Sequence, residues 1–139
     1  MRFMMIVKST KDSEAGVMPS ERLLQAMGKF NEELVHAGVM LDGSGLQPSS
    51  KGFRVKFSSG KRSIVDGPFA EAKELVAGYW IINVKSREEA LAWAKKVPSP
   101  VEEGEGEIEV RPFFELEDFA PGPAIDQHRE NARKLAAKK

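Results

Sequence analysis

At 139 residues and 15.4 kDa, with 41% hydrophobic and 30% charged side chains, the chain has the size of one domain and too much apolar content for a disordered segment. Its 21 basic and 21 acidic residues cancel, so no overall field draws it to nucleic acid or to an anionic membrane. The absence of cysteine excludes a disulfide framework and a thiolate metal site, and it suits a reducing, cytoplasmic compartment.

From Arg2 to Lys8 the residues are apolar on both alternating faces, Phe3, Met5 and Val7 on one and Met4 and Ile6 on the other. That pattern predicts a central buried strand, too short for a secretory core or a membrane span. After a polar stretch containing Gly16 and Pro19, the residues Leu23, Met27, Phe30 and Leu34 share one face of a helix predicted from Ser20 to Ala37 and stopped by Gly38. Val39 to Leu46 reads as an irregular, glycine-interrupted strand. Phe53, Val55 and Phe57 alternate with Arg54 and Lys56, the mark of a half-buried strand. A turn at Ser58–Lys61 leads to a partner strand from Arg62 to Asp66, completing a hairpin.

Gly78 to Val84 is a second strongly apolar strand. Ser86 followed by Glu89 is a helix-opening pattern, and Ala90, Leu91, Ala94 and Val97 line one side of the helix it starts. Val97-Pro98-Ser99-Pro100 ends that helix. An acidic, glycine-containing loop, Glu102 to Gly106, precedes a last strand from Glu107 to Phe114. Pro121-Gly122-Pro123 then sets off a basic C-terminal segment, so residues 1–120 form the domain and 121–139 a tail, read as a short helix that frays.

Strand, helix, strand, inserted hairpin, strand, helix, strand is a ferredoxin-like (βαββαβ) α+β plan, an antiparallel sheet with both helices on one face. The other face is left bare, yet the first strand is apolar on both sides. A second copy is the expected cover, giving a homodimer packed sheet to sheet with roughly 800 Å² buried per partner. If Trp80, Ile82, Val84, Ile108 and Val110 face the helices, then Tyr79, Asn83, Glu109 and Arg111 point the other way. An apolar surface with a few convergent polar groups suits a small-molecule cleft between the sheets.

The stretch Asp66-Gly67-Pro68-Phe69-Ala70-Glu71-Ala72-Lys73-Glu74 carries two readings. As structure it is a turn, with Asp66 accepting local N–H groups, Pro68 fixing a dihedral and Phe69 plugging the core. As chemistry it brings Asp66, Glu71 and Glu74 near Lys73, where a carboxylate can act as a general base. Glu109 and Arg111, two apart on one strand, form either a structural ion pair or a clamp for a ligand carboxylate. Tyr79 offers a phenol donor or a packed ring. His36, at a helix end, and His128, in the tail, are too far apart for a zinc site, and no glycine-rich phosphate loop, dinucleotide fingerprint or Gly-x-Ser-x-Gly elbow occurs. No cofactor is expected, although a carboxylate-only magnesium site stays open. The run Glu102, Glu103, Glu105 and Glu107 reads as a solvated loop, and the tail's net charge of +3 from Ala124 onward, five basic against two acidic residues, as a weak nucleic-acid signal at most.

Val65-Asp66-Gly67-Pro68-Phe69-Ala70-Glu71, Lys73-Glu74, Ala77-Gly78-Tyr79-Trp80, Glu109-Val110-Arg111-Pro112 and Gly45-Leu46-Gln47-Pro48 together resemble the DGPF-domain branch of the YCII-related proteins. The resemblance runs from about Arg2 to Leu116. It implies a bacterial dimeric α+β barrel with a ferredoxin-like subunit. Relatives on the YciI side are linked to activity through a histidine on the first helix and an aspartate in an Asp-Pro step after the second. This chain has only His36 at the far end of that helix and Val97-Pro98 at that step, so the pair does not carry over.

Two functions fit these residues. One is a small cofactor-independent enzyme acting by proton transfer on an organic metabolite, with Asp66 or Glu71 as base, Arg111 and Lys73 holding an anionic group beside Glu109, and Tyr79 as an auxiliary donor. The other is a non-catalytic dimeric ligand-binding or regulatory module. The resemblance implies a link between such modules and extracytoplasmic-function sigma factors.

Overall fold

A strand that is apolar on both sides belongs in the middle of a sheet, and the computed structural model, which describes residues 1–101 and 104–138, places it there. The strands are β1 (Arg2–Lys8), β2 (Met40–Gly45), β3 (Phe53–Ser58), β4 (Lys61–Asp66), β5 (Val76–Asn83) and β6 (Ile108–Pro112). The helices are α1 (Lys11–Glu14), α2 (Glu21–His36), α3 (Arg87–Lys96) and α4 (Pro123–Ala137). Four strands form an antiparallel sheet in the order β2-β5-β1-β6, the ferredoxin-like arrangement, and β3 and β4 form a separate hairpin between its second and third strands. Expected and observed bounds agree closely for β1, α2 and α3.

Local chemistry explains the helix starts. The Ser20 hydroxyl accepts from Leu23 N at 3.2 Å at the head of α2, and the Ser86 hydroxyl accepts from Glu89 N at 3.1 Å at the head of α3. Gly38, at φ +74°, supplies the left-handed residue that ends α2. The turn α1 lies in the stretch read from sequence as merely polar. It is held by a reciprocal pair, Ser13 N on the Thr10 hydroxyl at 3.1 Å and Thr10 N on the Ser13 hydroxyl at 2.8 Å.

Helices α2 and α3 cover one face of the sheet. Phe3 and Met5 of β1, Trp80 and Ile82 of β5, Phe30 and Leu34 of α2, and Ala90 of α3 form the buried core. Phe30 meets the Trp80 ring edge-on, with centroids 5.3 Å apart, and the indole N–H donates to Asn31 Oδ1 at 2.7 Å. The ring is thus buried without leaving its one donor unsatisfied. The parity read from sequence is borne out: Ile6 stands between Tyr79 and Glu109 in register, and Met4 between Ile81 and Arg111, on the face away from the helices.

Two expectations are corrected, on the hairpin strand and on Phe69. The hairpin strand Phe53–Ser58 is not half-buried, because the hairpin stands off the sheet and every residue from 51 to 66 is exposed. The C-terminal segment, expected to be a short helix, is a helix of 15 residues, α4. It packs chiefly on the turn Leu116–Asp118 and does not blanket the sheet. Phe69 does not plug the core but lines an open cavity. Glu102 and Glu103 of the acidic loop lie outside the described residues. Among those described, no helix is long and apolar enough to cross a membrane.

The start of β1 is tied to the segment after β6 by Arg2, whose guanidinium donates twice to the Glu115 carboxylate, at 2.9 and 3.1 Å, and lies over the Phe113 ring. The hydrogen bond from Arg2 holds the Glu115 carboxyl below its ordinary value. A carboxyl whose pKa is depressed on folding adds stability above its unfolded value and loses it as the pH falls through the folded one. In urea melts from pH 7 to pH 3, Glu115→Gln should therefore flatten part of the acid-side loss of stability seen in the parent. Leu34→Ala, which empties a fully buried site, should cost about 2–5 kcal/mol at neutral pH in the same melts.

Candidate functional site

β4 ends at Asp66, opposite Phe53, and the chain turns sharply at Gly67-Pro68, whose peptide bond is cis. Gly67 N donates to Gly52 O at 3.0 Å and closes the base of the hairpin. A Cβ at Gly67 would lie 1.8 Å from the Ser49 carbonyl oxygen, so glycine alone lets the two backbones touch. One residue further on, Phe69 N donates to the Ser49 hydroxyl at 3.0 Å.

Ser49 in turn is held by Glu14. Its N–H donates to Glu14 Oε1 at 3.0 Å, and its hydroxyl donates to Glu14 Oε2. One serine thus joins the end of α1, the segment after β2 and the turn after β4, three pieces far apart in sequence. Both oxygens of Glu14 are engaged in this tie.

A cavity of about 540 Å³ opens where the three pieces meet. Leu46, Pro48, Phe69 and Leu75 give it an apolar floor, and Glu14, Gln47, Lys51 and Arg54 bring polar groups to its wall. The Arg54 guanidinium lies 3.7 Å from the centre of the Phe69 ring, which fixes its plane beside the cavity. Among the described residues neither Arg54 nor Lys51 has a carboxylate at ion-pair distance. The arrangement, an apolar floor with two cations outside ion-pair distance of any described carboxylate and one carboxylate, Glu14, already tied to Ser49, can receive an organic anion.

The six residues singled out from sequence are not brought together. Asp66 and Glu71 flank the turn on its exposed side and do not line the cavity. Glu71 adopts φ +62° and ψ +73°, an uncommon left-handed conformation for a residue with a side chain, and its carbonyl accepts from Glu74 N at 2.8 Å. Lys73 enters a second hollow of about 490 Å³ with Lys8, Glu105 and Glu107. Tyr79, Glu109 and Arg111 share the outer face of the sheet. There the Tyr79 hydroxyl donates to Asp42 Oδ2 at 3.3 Å, and Glu109 lies 4.0 Å from Lys8 Nζ rather than pairing with Arg111.

Sequence reasoning missed Glu14, Ser49 and Arg54. Arg54 read as the polar side of a strand, and nothing local links Glu14 to a serine 35 residues later. The nearest signal was Gly45-Leu46-Gln47-Pro48, which ends one residue before Ser49. Among the described residues no three His, Asp or Glu side chains cluster closely enough to hold a metal ion.

The model of the YCII-related domain matches residues 1–117, and the chain belongs to that family. An uncharacterised protein of Rhizobium meliloti (strain 1021) is 33% identical over 93 residues, 67% of this chain and 74% of that one. Among solved structures, 5-chloro-2-hydroxyhydroquinone dehydrochlorinase from Burkholderia phenoliruptrix AC1100, in complex with 2,5-dihydroxybenzoquinone, is 12% identical with a TM-score of 0.41, over 82% of this chain and 94% of that one.

The serine tie makes its own test. Gly67→Ala forces a Cβ onto the Ser49 carbonyl and should cost about 2 kcal/mol or more, whereas Ser49→Ala, which leaves Glu14 and Phe69 N without their partner, should cost about 1–3 kcal/mol. Chemical denaturation of both variants checks the order.

Proposed function

We propose that this YCII-related domain is a homodimeric binding module for a small organic anion, which lies in the cavity between the Asp66–Phe69 turn and the Leu46–Ser49 segment. The observation that carries the reading is a pair of cations, Arg54 and Lys51, that have no carboxylate at ion-pair distance among the described residues, beside an apolar floor. An anionic head would meet the Arg54 guanidinium, whose planar fork suits a carboxylate or phenolate, and the ligand's body would lie on Leu46, Phe69 and Leu75.

Binding is favoured over proton transfer in this cavity because Glu14, the one carboxylate among the described residues that line it, already accepts two hydrogen bonds from Ser49. A base so engaged would have to release the turn to act. A sensing or regulatory role follows readily, since a ligand here touches the turn, the hairpin base and α1 at once. The homodimer is supported by the apolar surface that one chain leaves uncovered, on the hairpin above all.

A second reading keeps an enzymatic cleft on the outer face of the sheet. There Tyr79, Glu109 and Arg111 surround Met4, Ile6 and Ile81, and a second subunit's sheet would form the roof. Arg111, without an ion-pair partner among the described residues, favours it.

A thermal-shift screen with aliphatic and aromatic carboxylates and phenolates separates these readings. The binding module should give a stabilising ligand recovered intact, an affinity that falls with added salt, and a loss of roughly tenfold or more in Arg54→Ala but not in Arg111→Ala. A ligand that is consumed, with the loss falling on Arg111→Ala, would transfer the function to the outer face. Absence of any stabilising anion would remove the binding-module reading.

A further inference from the structure

The chain leaves β1 through Lys8 and Ser9, and both are held by the segments on either side. Lys8 N donates to Glu107 O at 3.1 Å, and Ser9 N donates to Leu75 O at 2.9 Å. The register of β1 against β5 shifts between Val7 and Lys8, an irregularity of the kind that re-aims the side chains after it. Here lies the hollow of about 490 Å³, whose wall includes Lys8, Ser9, Lys73, Glu105 and Glu107. It shares no lining residue with the cavity beside Arg54.

Two lysines and two carboxylates thus line one hollow, and they do not neutralise each other. Among the described residues neither lysine comes within ion-pair distance of Glu105 or Glu107. Lys73 has no ion pair among them, and Lys8 reaches only Glu109, at 4.0 Å.

Ser9 adds an independent observation. It is 5% exposed, yet its hydroxyl has no hydrogen-bond partner among the described residues. No buried side-chain oxygen or nitrogen among them is sealed off without a partner, so the Ser9 hydroxyl keeps contact with solvent, and the hollow is where Ser9 meets it. A hydroxyl held this deep and left unpaired is a donor waiting for an acceptor.

We infer that this hollow binds a zwitterionic aminocarboxylate, a free amino acid or a short peptide. Its carboxylate would meet Lys73 and the Ser9 hydroxyl, with Lys8 behind them, and its ammonium would meet Glu105 and Glu107. A ligand that displaces water from a charged wall has to replace the hydration it removes. A neutral ligand replaces it at none of the four charges. A plain anion serves the lysines and sets like charge against the two glutamates, and a plain amine does the reverse. Only a molecule with both charges serves all four, and the volume is within the roughly 300–1,000 Å³ usual for small-ligand sites. The site is separate from the organic-anion cavity proposed above and stands without it.

Isothermal titration calorimetry on the full chain tests the proposal, with leucine, glutamine and glycyl-leucine as probes, each beside its N-acetyl and its carboxamide form. At least one zwitterion should bind, and either blocked form should bind roughly tenfold or more weakly, since a charge-assisted contact is lost. Lys73→Gln should weaken the zwitterion by a similar factor and leave the carboxamide, which has no carboxylate to lose, within about threefold. The paired Glu105→Gln and Glu107→Gln substitutions should weaken the zwitterion likewise and spare the N-acetyl form. Ser9→Ala should cost roughly threefold, and Lys61→Gln, a lysine outside the hollow, should change nothing. Whichever of the amino acids and the dipeptide binds tighter names the source of the ligand, and either order upholds the site. No binding by any probe at about 10 mM overturns it. An N-acetyl form as tight as its parent makes this a plain anion site, and a carboxamide as tight makes it a plain amine site; each result overturns the zwitterion. Binding that the Lys73 and glutamate variants leave unchanged lies elsewhere and overturns the assignment to this hollow.

Discussion

The fold depends on one strand that is apolar on both sides. β1 pairs with β5 on one edge and β6 on the other, so neither of its edges is open to solvent. Its Phe3 and Met5 reach the helices, where Trp80, Phe30 and Leu34 close around them. Its Met4 and Ile6 build the outer face. Because side chains alternate strictly along a strand, the same seven residues that nucleate the core also create a second apolar surface, which α2 and α3, on the opposite face, cannot reach.

The cavity depends on a different kind of constraint, a polar one. Apolar packing is forgiving of small shifts, whereas the three hydrogen bonds of Ser49 to Glu14 and Phe69 are specified by direction. Through it, the position of α1 determines where the segment after β2 lies, and that segment determines where the turn after β4 can pass. Gly67 allows the final approach of backbone to backbone, and Phe69 then supports Arg54 from below. The unpaired charge of Arg54 follows from this geometry: its guanidinium lies on a ring, and among the described residues no carboxylate comes within ion-pair distance of it.

The hairpin links the two surfaces. Its foot is part of the cavity wall, while its length carries apolar residues outward where nothing in the chain covers them. The proposed binding module draws on one face of this two-stranded element, and the strict alternation of a strand is what keeps Arg54 and Lys56 off its apolar side.

Much was legible before any coordinates. The bounds of β1, α2 and α3, the ferredoxin-like order and the division of β5 into a core-facing Trp80 and an outward Tyr79 follow from periodicity and capping residues, which act over a few positions and are written locally. What the sequence could not decide was which distant segments meet. Alternation marked Phe53, Val55 and Phe57 as one apolar face, but whether that face is covered depends on where the whole hairpin points. Likewise Asp66, Glu71 and Lys73, adjacent in sequence, diverge because the turn throws them in different directions, while Glu14, Ser49 and Arg54 converge from three elements. Local free energies set the elements, whereas the site depends on contacts between residues dozens of positions apart, which only the tertiary fold brings together.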